Sequence, residues 1–147
     1  MGIRWSEPVP IPDLLKPGGK CGELLPPKTG VYRLKVLSGN KRYPSGTVVY
    51  IGKVGGGARK DRHLRRRIGE FIIAGMGFEN PHSGGIRFWE EGDEHGLWVQ
   101  DLGVEFFRSN DPLCDEIRAF DEFTKATGER TPFLNRVRPR TRCGEHK

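Results

Sequence analysis

Gly30-Val31-Tyr32-Arg33-Leu34-Lys35-Val36, then Thr47-Val48-Val49-Tyr50-Ile51-Gly52-Lys53, then His63-Leu64-Arg65-Arg66-Arg67-Ile68-Gly69-Glu70-Phe71 are the runs on which the fold turns. In the first, Tyr32, Leu34 and Val36 alternate with Arg33 and Lys35, the period of a strand with one face buried; the β-branched and aromatic second run reads the same way. Together they predict a hairpin over Thr29–Leu37 and Thr47–Ile51. Its loop holds the turn formers Ser38-Gly39-Asn40 and Pro44-Ser45-Gly46, with Lys41 and Arg42 at the tip. Each strand sets a tyrosine near a glycine, where a ligand or another piece of backbone could approach a phenol. Equally, strand tyrosines pack well on a pleated surface for no further reason.

The third run predicts a helix from His63 to Ala74. At about 100° per residue, Leu64, Ile68, Phe71 and Ile72 share one stripe, Arg66 points away from it, and Arg65 and Arg67 flank it. Ahead of this helix lies Lys53-Val54-Gly55-Gly56-Gly57-Ala58-Arg59-Lys60-Asp61-Arg62. It can act as a backbone that approaches phosphate or as a plain linker, and it lacks the ending of a Walker A loop.

Downstream, the chain predicts a short helix over Gly85–Glu91 capped by Ser83, with His82 in the turn before it, unless His82 and Ser83 touch DNA. His95 falls in the acidic stretch Glu90-Glu91-Gly92-Asp93-Glu94 and is expected in water. A third strand over Gly96–Arg108 alternates Val104 and Phe106 with Glu105 and Phe107. Asp111-Pro112 then opens a helix that runs to Thr127 and stops at Gly128. Upstream, residues 1–28 hold six prolines from Pro8 to Pro27, which exclude a long helix or central strand. Trp5, Leu14, Leu15, Leu24 and Leu25 make this an arm that wraps the domain or meets a partner, with one helical turn near Ile11–Leu15.

A chain of 147 residues is enough for one domain with a single core. Its 25 Lys and Arg against 19 Asp and Glu give a net charge of +6, which suits a polyanionic partner. Cys21, Cys114 and Cys143 are odd in number and far apart, which argues against a zinc site or a disulfide framework. No run approaches the roughly 20 apolar residues of a membrane span, and the start lacks a signal-peptide core, so a cytoplasmic protein is expected.

The order of the pieces is more informative than any one of them. Gly30-Val31-Tyr32, Tyr50-Ile51-Gly52-Lys53, the arginine helix, a late acidic helix and Pro132-Phe133-Leu134-Asn135 together resemble a GIY-YIG nuclease domain over about Thr29 to Asn135. The resemblance implies an α+β domain, a small three-stranded antiparallel sheet flanked by helices, with residues 1–28 as an N-terminal arm and 136–147 as a basic tail. It implies metal-dependent hydrolysis of DNA phosphodiesters with one Mg2+ or Mn2+. Tyr32 would be the base that takes a proton from water, Arg67 the clamp on the scissile phosphate, and Glu116 the metal ligand. Tyr50 and Lys53 would stand beside the phosphate, and Asn135 would be a supporting residue. One departure is Phe71, where many relatives carry a His or Tyr one turn after the arginine.

Asp115, Glu116 and Glu122 compete for the metal on the last helix. With Leu113 as zero, Glu116 falls at about 300°, inside the stripe of Ile117, Phe120 and Phe123, whereas Asp115 and Glu122 point away. A carboxylate in an apolar stripe is costly unless something compensates it, and a cation would. The helical face thus favours Glu116, while spacing to Asn135 favours Glu122. A phenol is a poor base at neutral pH, and positive charge from Lys53 and the metal is the expected remedy.

Expected DNA contacts are Arg59, Arg62, Arg65, Arg138 and Arg140, the last two in a tail with an arginine at every second position from Arg136 to Arg142. That tail could equally serve solubility. Residues 1–28 and 136–147 show no recognition module, which favours a compact restriction-like or partner-guided nuclease. Cutting both strands needs two sites or two events, so a homodimer or larger assembly is compatible. The competing expectation is a nucleic-acid-binding subunit of a repair or restriction assembly that lacks turnover of its own.

Overall fold

Cross-strand pairing of the two alternating runs gives an antiparallel hairpin of β2 (Gly30–Val36) and β3 (Val48–Val54), with Tyr32 opposite Gly52 and Leu34 opposite Tyr50. β4 (Leu102–Arg108) pairs antiparallel with the other side of β2, and Tyr32 lies opposite Phe106. The computed structural model describes residues 2–15, 24–26, 28–55 and 63–139. No helix among them is long and apolar enough to cross a membrane.

Among the described residues the sheet has four strands rather than the expected three. The addition is β1 (Val9–Pro10), which pairs antiparallel with Val104 and Gly103 of β4 and gives the order β1-β4-β2-β3. A proline has no N–H to give to a ladder, so it is confined to edges, and this strand is an edge. Ser6 extends the pairing: its N–H donates to the Phe106 carbonyl at 2.8 Å and its hydroxyl accepts from the Phe106 N–H at 3.0 Å. α1 (Ile11–Leu14) then buries Ile11 and Leu14 against the core. The arm therefore wraps the domain through these residues.

Helices cover both faces of the sheet. On one, α2 (Leu64–Gly75) and α3 (Ser83–Glu90) set Leu64, Ile68, Phe71, Ile72 and Phe88 against Tyr32, Leu34 and Val36. On the other, α5 (Pro112–Thr127) sets Ala119, Phe120 and Phe123 against Val31 and Ile51. Asp111 caps α5 by accepting from the Cys114 N–H, Pro112 occupies its first position, and Gly128 ends it at a φ of 77°.

The segment after α3 departs from expectation. Gly92–His95 forms one helical turn, α4, that ends on Gly96 in the left-handed region, followed by a 3-10 turn at Val99–Asp101; the strand begins only at Leu102. This turn folds His95 inward instead of leaving it in water. Its imidazole is 3 % exposed, lies against the Phe88 ring, donates from Nε2 to the Phe88 carbonyl at 3.0 Å and accepts the Leu97 N–H at Nδ1.

Candidate functional site

Where β3, the start of α3 and α5 meet, a cleft of about 380 Å³ opens, lined by Tyr50, Ser83, Glu116, Asn135 and the segment Arg136–Pro139. Tyr50 reaches it from β3, Glu116 from α5 and Ser83 from the first position of α3. Tyr32 lies beneath, 1 % exposed, its ring centroid 6.1 Å from that of Tyr50. Two glycines make this close packing feasible. A Cβ at Gly52 would come within 2.6 Å of the Tyr32 phenol, and one at Gly84 within 2.5 Å of the Tyr50 ring. The approach that the glycines permit is by the protein's own phenols.

Arg67 is half-buried on α2 and bonded to Glu70 at 3.3 Å. It joins the tyrosines electrostatically. Burial pushes the Tyr32 phenol well above its ordinary range, the neighbouring Tyr50 adds to the rise, and the Arg67 guanidinium opposes it by charge and by a hydrogen bond. Burial also raises Tyr50, with Arg67 pulling down, Glu116 pushing up, and hydrogen bonds to Ser83 and Tyr32 lowering it. The cation that acts on the phenols is therefore Arg67. The Lys53 ammonium, expected to do so, acts instead on Glu116 and bonds the Gly55 carbonyl at 3.4 Å.

Glu116 is pushed up to about 7 by burial, which Lys53 only partly offsets. Among the described residues no hydrogen bond or ion pair is made to its carboxylate, and no group of three His, Cys, Asp or Glu forms a ready-made metal cage. This donor set fits a hard divalent cation that takes one protein carboxylate and completes its shell with phosphate oxygens and water. Glu122 and Asp115 are otherwise employed. Glu122 accepts from the Ile3 N–H at 3.1 Å, the Trp5 indole at 2.8 Å and Arg33 at 3.4 Å; Asp115 accepts from Ser109 at 2.5 Å and Arg118 at 2.7 Å.

Asn135 pairs with the outer edge of β3 like a strand residue, accepting the Ile51 N–H at 2.9 Å and donating to the Ile51 carbonyl at 2.8 Å. With Leu134 N–H bonded to the Val49 carbonyl, it fixes the cleft's far wall beside Tyr50. Arg138 also lines the cleft, but its guanidinium is engaged with Asp121, Thr124 and the Arg130 carbonyl. Arg65 bonds the Leu25 carbonyl at 3.2 Å and so ties the N-terminal arm to α2. Arg59, Arg62 and Arg140 lie outside the described residues.

The cap of α3 is His82 rather than the expected Ser83. His82 is completely buried and its Nε2 is 3.0 Å from the Tyr32 hydroxyl. Compared with known proteins, the chain matches no family model, no curated protein and no solved structure.

Proposed function

We propose that the protein is a metal-dependent DNA endonuclease that hydrolyses phosphodiesters with one Mg2+ or Mn2+, of the GIY-YIG kind and restriction-like in its compactness. One observation carries this reading. Two phenols, a guanidinium and a half-buried carboxylate without a hydrogen-bond or ion-pair partner among the described residues come from four separate elements to act on one another, with Tyr50 and Glu116 lining one cleft. Buried titratable groups arranged to perturb one another are what acid–base chemistry needs and what a core avoids.

Each group has a task in phosphodiester hydrolysis. A divalent cation at Glu116 would neutralise charge on the phosphate and its leaving oxygen. Arg67 supplies fixed positive charge that favours both a phosphate and an ionised phenol. Tyr50 lines the cleft and Tyr32 lies behind it, and the two titrate as a pair: once the pair has lost one phenolic proton to solvent, the remaining phenolate would accept the proton of the attacking water. Lys53 keeps Glu116 closer to its ionised form, and Asn135 holds β3 in place.

Supercoiled plasmid incubated with Mg2+ or Mn2+, against EDTA, tests the reading. Metal-dependent nicking or linearisation that Glu116→Gln lacks is the expected result. Salt-sensitive DNA binding without cleavage would instead favour a binding subunit of a larger assembly.

A further inference from the structure

His82 stands where α3 begins, and its two ring nitrogens face different partners. Nδ1 accepts the Gly85 N–H at 3.2 Å, which closes the N-terminus of the helix. A nitrogen that accepts carries no proton, so the ring's proton is on Nε2. Nε2 is the atom 3.0 Å from the Tyr32 hydroxyl. The helix cap thereby sets the tautomer, and the tautomer sets the direction of the bond: His82 donates and the Tyr32 oxygen accepts.

We propose that His82 is a positioning residue for Tyr32, holding its oxygen with a donated Nε2–H so that the Tyr32 proton points to Tyr50 and the phenolate is stabilised when it forms. The proposal rests on the nuclease reading for its consequence in catalysis, but not for the bond itself. Three features of the surroundings suit it. The imidazole is fully buried, so water cannot substitute for it. Its ring is held edge-on against Phe71 and tilted against Tyr50, each at 5.4 Å between centroids. Finally, the Arg67 guanidinium acts on the same phenol from α2 and favours its ionised form. An oxygen that accepts from His82 is better prepared to carry negative charge than one that donates into the core.

A cap alone and a cap that also serves Tyr32 make opposite predictions for two substitutions. Asn caps helices well but is too short to reach Tyr32; Gln caps poorly, yet its amide nitrogen extends about as far as Nε2. If His82 acts through Tyr32, His82→Asn lowers kcat at least tenfold with KM unchanged, and His82→Gln recovers part of that loss. Equal or better turnover in His82→Asn than in His82→Gln would overturn the proposal. Nitrogen-15 spectra of the imidazoles read the bond without any turnover. The expected result is an Nε2–H tautomer for His82 whose Nε2 resonance moves in Tyr32→Phe. An Nδ1–H tautomer, a doubly protonated ring or an unmoved resonance would each overturn it. If the wild type cleaves no DNA, these spectra still decide whether the bond exists, so failure of the nuclease reading and failure of this one are separable.

Discussion

Glu116 and Glu122 lie on one helix, six positions apart, and live in opposite chemical circumstances. Glu122 sits on the side where the N-terminal arm returns: backbone N–H of Ile3, the Trp5 indole and Arg33 all donate to it, and the Arg33 guanidinium lies 4.2 Å over the Trp5 ring. Glu116 faces the cleft, raised to about 7 by burial, with Lys53 as the charge that pulls the other way. A carboxylate whose oxygens are supplied with donors is a structural anchor. One that is desolvated and left short of donors costs stability, and a site that tolerates that cost is a site prepared for a cation or a proton. The same residue type on the same helix thus separates into framework and candidate chemistry by what faces it.

Cleavage offers the sharpest contrast. With the nuclease reading, Glu116→Gln, Tyr32→Phe and Arg67→Ala should each lower the rate of metal-dependent plasmid nicking by about 10²- to 10³-fold or more, because each removes a group that acts on developing charge. Glu122→Gln should cleave at close to the wild-type rate. Full activity in Glu116→Gln together with loss in Glu122→Gln, both folded, would invert the assignment. Full activity in Tyr32→Phe would remove the phenol pair from the chemistry.

Stability should move the other way at the same residue. The folded-state value of about 7 for Glu116 lies above the ordinary 4.5, so the native protein holds this proton more tightly than the unfolded chain. Stability from that proton is complete below about 4.5 and is lost as pH rises through about 7, up to about 3 kcal/mol in all. Gln at 116 never ionises and escapes this loss. Urea unfolding in EDTA should therefore find Glu116→Gln equal to wild type near pH 4.5 and more stable above pH 7. Mg2+ or Mn2+ should then narrow the gap by stabilising only the wild type. A gap that stays constant with pH would mean that Glu116 is not desolvated in solution.

What could be read from the chain depended on how local each signal was. The hairpin and α5 are written in short-range terms: alternation over Tyr32 to Val36, and Asp111-Pro112 before and Gly128 after a stripe of Ile117, Phe120 and Phe123. That stripe also marked Glu116 as the acid out of place. β1 was hidden because a two-residue strand with a proline has no pattern of its own; the free edge of β4 creates it. Glu105 shows the same limit, since alternation puts it on the open face of β4, yet the returning arm covers that face. It is 6 % exposed and paired with Arg33 at 2.7 Å. The sequence marks His82 only for a turn or for DNA because its link to Tyr32 spans 50 positions and depends on how closely α3 packs over Tyr50 and Phe71.

The smallest effect tests the anchor. Glu122→Gln keeps an oxygen that can accept from the Trp5 indole but gives up the charge opposite Arg33 and weakens the bond from the Ile3 N–H. The pair is partly exposed, at 18 % and 32 % of the side chains, so solvent screens it. A loss of about 1 kcal/mol is expected, visible as a lower urea midpoint with an unchanged slope. Hydrogen exchange should rise first at Ile3 and at the Trp5 indole, because the arm is held through them, while the amides of β2 and β3 keep their protection. If exchange rose instead along β2 and β3, Glu122 would be supporting the sheet and not merely the arm. The division between the two glutamates would then be one of degree.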